Sequence, residues 1–287
     1  MLTLTQLKAV FQKYNFSPLK RFGENYLIDG NIKDKIIAQA GAGAGDTILE
    51  IGPGFGALTL DLARSGAKVF AVEKDKKAFE ILKEICSDKY PNLEIINNDI
   101  LDFDLLSSLR GARSATKQSQ KIKVVGNLPY YITTPVIEYM IENREIIESA
   151  LILMQKEVAD RLLAGPGSKD RGSISCFVQY YMKPEYLCAI DRNSFYPVPG
   201  VDSSLLRLNI LHEPAHHVKD EPLFFKIVRG AFNQRRKSII NSLSREAVLN
   251  IPKAELMRIL KGLDIDPASR PQVLPLSSFA KIANAVS

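Results

Sequence analysis

Apolar positions recur at helical spacing over residues 5–16 and 30–40, and Asp29 or Asn31 stands where a cap would start the second helix. The run Gly41-Ala-Gly-Ala-Gly-Asp46 breaks that pattern, and short apolar runs then alternate with helical ones. Strands are predicted at 47–51, 68–72, 93–96, 123–125 and 149–154, with helices at 57–65 and 75–87 between the first three. Such alternation predicts an α/β fold with a mostly parallel, doubly wound sheet, which binds ligands at the carboxyl ends of its strands. Residues 173–190 read as strand-like and 205–210 as a final strand, a pair suited to a hairpin that closes the sheet. Beyond a linker at 211–222, helical patterns cover 222–245, 252–262 and 275–285. The expected division is therefore a first domain of residues 1–211 and a small all-helical domain of residues 212–287. Residues 107–123 hold Arg110, Arg113, Lys117, Lys121 and Lys123 without hydrophobic periodicity, which predicts a surface loop.

Composition narrows the class. Of the 287 residues 46% are hydrophobic, enough for a sizeable core, and no apolar run approaches the ~18 residues of a membrane span. The amino terminus lacks a signal-peptide pattern. Lys8, Lys13, Lys20 and Arg21 precede any acid, as in a transit segment, but the motif at 23–27 begins too early for that stretch to be expendable. A cytoplasmic protein is expected. Cys86, Cys176 and Cys188 form no C-x-x-C pair and read as buried thiols, and His216-His217 reads as linker, so no metal site is expected. The net charge of +6 suits a polyanionic partner without requiring one.

The candidate chemistry sits at strand ends. Gly52, Gly54 and Gly56 let backbone N–H groups approach a ligand, with Glu50 just before them. Ala57 occupies the sixth position of a dinucleotide fingerprint, so the loop by itself leaves NAD open beside S-adenosylmethionine. Glu50 can lend negative potential near a sulfonium or amino group. Glu73 is placed to accept from both ribose hydroxyls, and Asp99 from an adenine amine bordered by Ile100. In Asn127-Leu128-Pro129-Tyr130, the Asn127 side-chain oxygen and the Leu128 carbonyl can accept the two N–H groups of a nucleobase amine. Pro129 fixes the turn, Tyr130 offers a stacking face, and Phe195 is expected to close over the base from the opposite side. The amphipathic stretch 224–243 presents Arg229, Arg235, Arg236 and Lys237 for contact with RNA phosphates.

Together these residues give the chain a resemblance to the small-subunit ribosomal RNA adenine N6,N6-dimethyltransferase family. The matching pieces run in family order: FGENYLID at 22–29, LEIGPGFGALT at 49–59, VEKD at 72–75, NNDILDFD at 97–104, VVGNLPYYITTPV at 124–136, FYPVPGVDSSLLRL at 195–208 and RGAFNQRRKSIINSL at 229–243. The resemblance implies a class I S-adenosylmethionine-dependent methyltransferase fold, Rossmann-like with a mostly parallel seven-stranded sheet, and a helical carboxyl-terminal domain. It also implies transfer of two methyl groups to each of two adjacent adenines of small-subunit ribosomal RNA during subunit maturation. Asn25 and Leu27 enter the cofactor set on the same ground, beside Gly52, Gly54, Glu73, Asp99, Ile100 and Asn127. Glu24, where the family often carries glutamine, and the basic 107–123 segment depart from the pattern. Three rivals are a large-subunit ribosomal RNA methyltransferase of the antibiotic-resistance type, a non-enzymatic ribosome-assembly factor of the same fold, and an NAD-dependent oxidoreductase. The last needs a catalytic His or Tyr-Lys pair, and no histidine precedes His212. Nothing in the sequence demands more than a monomer.

Overall fold

The structure, a computed structural model, describes residues 3–18, 25–86, 89–110, 121–129, 132–245, 249 and 251–287. Glu24, Tyr130 and residues 111–120 of the basic segment lie outside the described residues. Helix α1 (Leu4–Lys13) starts in a capping box, in which the Thr3 hydroxyl accepts from the Gln6 N–H and the Gln6 side chain accepts from the Thr3 N–H. The two-residue strand β1 (Tyr26–Leu27) leads into α2 (Gly30–Ala40). Asp29 caps α2 as expected, its Oδ1 accepting from the N–H groups of Asn31 at 2.9 Å and Ile32 at 3.3 Å.

The alternation continues through β2 (Thr47–Ile51), α3 (Thr59–Arg64), β3 (Lys68–Glu73), α4 (Lys76–Cys86), β4 (Leu93–Asn97), α5 (Leu105–Arg110), β5 (Ile122–Asn127), α6 (Thr133–Glu142) and β6 (Ile147–Gln155). In β2 and β3 nearly every residue is buried, so both strands are mostly apolar, as parallel strands covered on both faces require, with Glu50 and Glu73 as buried exceptions. After α7 (Lys156–Leu163) and α8 (Ser173–Tyr181) come β7 (Met182–Ile190), the short β8 (Phe195–Tyr196) and β9 (Ser203–Ile210). The seven-stranded sheet has the order β4-β3-β2-β5-β6-β9-β7. Pairings among β2 to β6 are parallel, whereas β9 runs antiparallel to β6. β1 and β8 pair separately as an antiparallel ribbon, with Tyr26 opposite Tyr196 and Leu27 opposite Phe195.

Three expected elements differ. Of the surface loop predicted over 107–123, residues 107–110 belong to α5, where Asp104 accepts from the Ser107 N–H, and residues 122 and 123 open β5. Residues 173–181 are helical, not extended: Ser175, Cys176, Val178, Tyr180 and Tyr181 are buried along it, and this helical spacing outweighs the strand preference of its aromatic and β-branched residues. The pattern over 222–245 is two helices, α9 (Glu221–Asn233) and α10 (Ile239–Arg245). Gln234 leaves helical geometry at φ −126° and ψ 60°, and its carbonyl accepts from the Lys237 N–H at 2.8 Å in a turn.

The chain forms two compact units. One comprises residues 1–159 and 185–210; the other comprises 160–184 and 211–287, so the second takes in a segment that the sequence pattern places with the first. Ile48, Leu62, Val69, Val125, Leu151 and Leu205 belong to the core of the first unit. A satellite cluster there surrounds Phe55 with Leu7, Phe16, Ala78 and Ile81, joined by Phe11, Tyr26 and Tyr196. The second unit packs α9 against α8, α10 and α12 (Leu276–Val286), with α11 (Lys253–Gly262) against α10 and α12. Phe224, Ile227, Leu256, Leu260, Phe279 and Ile282 are buried in it. Burial pushes the Cys86 and Cys176 thiols up to about 11, which keeps them protonated and unreactive near neutrality. Among the described residues no helix is long and apolar enough to cross a membrane.

Candidate cofactor and adenine site

Parallel register brings the motifs to one edge. Ile51 lies opposite Val72 on one side and Gly126 on the other, and Glu73 lies opposite Asn97. The residues that follow each strand therefore meet around a cavity of about 260 Å³. Its wall contains Asn25, Leu27, Gly52, Gly54, Glu73, Asp99, Ile100 and Asn127, together with Glu50, Leu128 and Pro129. Leu7, Phe55, Leu58, Lys74, Asp75, Asn98, Leu101 and Ile132 also line it; all but Leu7 fall within the quoted motifs, though none carries an expected role there.

The glycine loop is shaped by two tight approaches. At Gly54 (φ 55°) a Cβ would lie 3.1 Å from the Tyr26 ring, and at Gly56 (φ 81°) one would lie 2.8 Å from Leu82 Cδ1. Glu73 clasps this loop from the end of β3. Its Oε2 accepts from the Gly54 N–H at 3.0 Å and its Oε1 from the Asp75 N–H at 2.8 Å. A carboxylate offers about four lone-pair directions, so one such group can serve backbone N–H donors and ribose hydroxyls together.

Asp99 caps a short 3-10 turn through the Leu101 N–H at 3.1 Å, and its Oδ2 accepts from Lys74 Nζ at 2.5 Å. Burial opposes its charge, but the bonds from Lys74 and Leu101 outweigh burial and hold its pKa below the ordinary carboxylate value. Glu50 is the opposite case. Only 2% exposed, it is pushed up to about 8, chiefly by desolvation and further by the charge of Glu73. Thr59 offsets part of that shift, yet neither Glu50 Oε2 nor Thr59 Oγ1 meets a partner at hydrogen-bonding geometry.

At the end of β5, Asn127 Nδ2 donates to the Asn25 carbonyl at 2.9 Å, which leaves Oδ1 as the acceptor end of the amide. The buried Leu128 is held by its N–H to the Leu153 carbonyl at 3.2 Å, and the Pro129 carbonyl accepts from the Ile132 N–H at 3.2 Å. Phe195 departs from the expected role. It is 1% exposed and packed in the core with Leu27, Ile190 and Leu205, because its ribbon pairing with Leu27 turns the ring inward. A buried ring has no face to offer a base; its neighbour Tyr196 is half-buried against Phe11 and Lys8.

In the second unit Arg229 is on α9, whereas Arg235, Arg236 and Lys237 lie on the turn after it, all exposed. Arg235 Nη2 donates to the Arg171 carbonyl at 2.8 Å and to the Lys169 carbonyl. Its guanidinium is thus engaged in holding the 165–172 loop, while Arg171 itself is buried and donates to the Ala164 carbonyl.

The donor set separates the two cofactors left open by the glycine spacing. A pyrophosphate needs free N–H groups and positive potential. Here the Gly54 N–H is already given to Glu73, and the carboxyl groups of Glu50, Glu73 and Asp99 line the same wall. That environment fits a ligand bearing hydroxyls, an amine and positive charge, as S-adenosylmethionine does.

Comparison with known proteins agrees. Residues 15–283 match the family model described as ribosomal RNA adenine dimethylase. A relative from Alkaliphilus oremlandii, named ribosomal RNA small subunit methyltransferase A, is 42% identical over 277 residues, covering 96% of this chain and 94% of its own. A relative of the same name from Geobacillus thermodenitrificans is 42% identical over 284 residues, covering 97% of this chain and 94% of its own. The solved dimethyladenosine transferase from Plasmodium falciparum superposes with a TM-score of 0.75 at 27% identity, over 90% of this chain and 95% of that one. A solved 23S ribosomal RNA methyltransferase, at 24% identity and a TM-score of 0.68, shares the fold. The chain belongs to the ribosomal RNA adenine dimethylase family, enzymes whose methyl donor is S-adenosylmethionine.

Proposed function

We propose that the protein dimethylates the N6 amines of two adjacent adenines in small-subunit ribosomal RNA as that subunit matures. The observation that carries this reading is the Asn127 amide, oriented by the Asn25 carbonyl and set in the same cavity wall as Glu73 and Asp99. Glu73 would hold the ribose of the cofactor, Asp99 and Ile100 its adenine, and Asn25, Leu27, Gly52 and Gly54 the remaining wall. S-adenosylmethionine, when bound, supplies an electrophilic methyl group.

The amine of adenine is a weak nucleophile because its lone pair is delocalised into the ring. Asn127 Oδ1 and the Leu128 carbonyl accept its two N–H groups, favour a pyramidal nitrogen and aim the lone pair. Neither group is a strong base. The rate gain comes from position, and from hydrogen bonds that strengthen as positive charge develops on nitrogen. Pro129 fixes the turn, and Tyr130 would supply the stacking face. The ~40% identical relatives bearing the small-subunit name favour that substrate over large-subunit RNA and over a factor without activity. We further infer a cytoplasmic monomer that works without a metal; one chain furnishes the whole described cavity wall.

Unmodified small subunits incubated with the enzyme and labelled S-adenosylmethionine should gain label on adenine N6. Mass mapping that located the label only in large-subunit RNA would overturn the substrate assignment. Toward RNA, Arg229, Arg236 and Lys237 are the cations offered to phosphate, and Arg235 acts through the 165–172 loop. Replacing Arg236 and Lys237 by glutamine should lower the slope of log K against log salt by about 0.7–0.9 for each phosphate the protein ceases to neutralise. An unchanged slope would return both side chains to an ordinary solvated surface.

A further inference from the structure

Glu50 is a buried carboxyl group that faces no cation among the groups acting on it. It is the penultimate residue of the core strand β2, is 2% exposed, and lies between Ala71 of β3 and Val125 of β5 in the sheet register. Its Oε2 is buried without a hydrogen-bond partner, yet the residue forms part of the cavity wall. Among the described residues the groups facing it supply no counter-charge: Glu73 from β3 is another acid, Cys86 from α4 is a protonated thiol, and Thr59 from α3 is neutral. An isolated carboxylate there is costly, and a buried acid in such surroundings keeps its proton. The shift of Glu50 to about 8 agrees with that geometry. A cation entering the cavity reverses the balance, because it provides the missing opposite charge in a poorly solvated place.

We infer that Glu50 is neutral in the cofactor-free enzyme and releases its proton to solvent when the cationic methionine end of S-adenosylmethionine binds. The O–H bond of the carboxyl breaks, its electron pair stays on oxygen, and the buffer takes the proton, so charge balances within the filled site. Cofactor binding then becomes a proton-releasing reaction. This inference rests on the S-adenosylmethionine reading and adds a positioning role that the glycine spacing does not contain.

Calorimetric titration of the whole enzyme with S-adenosylmethionine, in two buffers of different ionisation enthalpy at pH 7, counts the proton. Given a pKa of about 8, roughly nine tenths of the free enzyme holds the proton at that pH. The wild type should release about 0.9 proton per cofactor more than Glu50→Gln, and the difference should nearly vanish at pH 9. Wild-type affinity should rise with pH up to about tenfold per unit below 8, a slope that Glu50→Gln loses and Glu50→Asp keeps. S-adenosylhomocysteine, which lacks the sulfonium, tells which charge acts. Release with both ligands assigns the partner to the ammonium, and release with S-adenosylmethionine alone assigns it to the sulfonium. Tight binding with no release by the wild type at pH 7, or equal release by Glu50→Gln, would overturn the inference and leave the cofactor reading intact. Failure of the wild type to bind at either pH would overturn both. Should Glu50→Gln bind too weakly to titrate, infrared difference spectra of the wild type at pH 7 decide: loss of a protonated-carboxyl band on binding supports the inference, and no loss overturns it.

Discussion

Replacing Asn127 by alanine is expected to lower turnover on ribosomal RNA by about 10²–10³-fold, the usual loss when one preorganised hydrogen-bonding group is removed from developing charge. The substitution deletes the Oδ1 acceptor and also the bond from Nδ2 to the Asn25 carbonyl, 2.9 Å in length. Loss of that bond should cost only about 1 kcal/mol of stability, so the protein should still fold. Since the acceptor matters chiefly as the nitrogen becomes pyramidal, kcat should carry most of the effect, with RNA affinity almost unchanged. Single-turnover rates beside equilibrium RNA binding separate the two. A parallel fall in both, or turnover within threefold of wild type, would remove Asn127 from the chemistry.

The second large effect is expected at Glu73. Substitution by alanine should weaken S-adenosylmethionine binding by about 10²-fold or more, because hydrogen bonds to a charged acceptor are each worth about 1.5–3 kcal/mol. Two consequences combine. The ribose hydroxyls lose their acceptor, and the Gly54 and Asp75 N–H groups lose the oxygens that hold them at 3.0 and 2.8 Å. The glycine loop would then relax around a ligand already held less firmly. Glu73→Gln keeps the length of the side chain but can accept at only one of its two ends, so it should fall between wild type and alanine. Equilibrium binding of S-adenosylhomocysteine provides the measure; alanine variants that bind within threefold of wild type would place the ribose elsewhere.

How much of this was legible in the sequence depended on how local each constraint was. Gly52, Glu73, Asp99 and Asn127 each follow an apolar run, and parallel register then gathers them at one edge whatever the loops between do. The Asp29 cap was legible for the same reason, since its bonds reach only two and three residues ahead. Asn25 and Leu27 came through family resemblance alone, for nothing in their own stretch points to a cavity that β5 completes. Lys74 was missed because its pairing with Asp99 spans 25 positions. Phe195 was misread because its direction is set by a ribbon partner 168 positions away, Leu27, and not by its own loop. The turn at 234–238 was hidden by apolar residues on both sides that share a helical period across the break.

The contact between Asn127 and Asn25 is made to a main-chain oxygen. Any residue at position 25 presents the same oxygen, so scanning its side chains leaves that restraint untouched. What can disturb it is a change in the path of the chain through residues 25–27, which the ribbon with Phe195 and Tyr196 controls. Variants at 195 and 196 should thus mimic subtle damage to Asn127, whereas exchange of the Asn25 side chain should be felt through the cofactor wall and not through that bond.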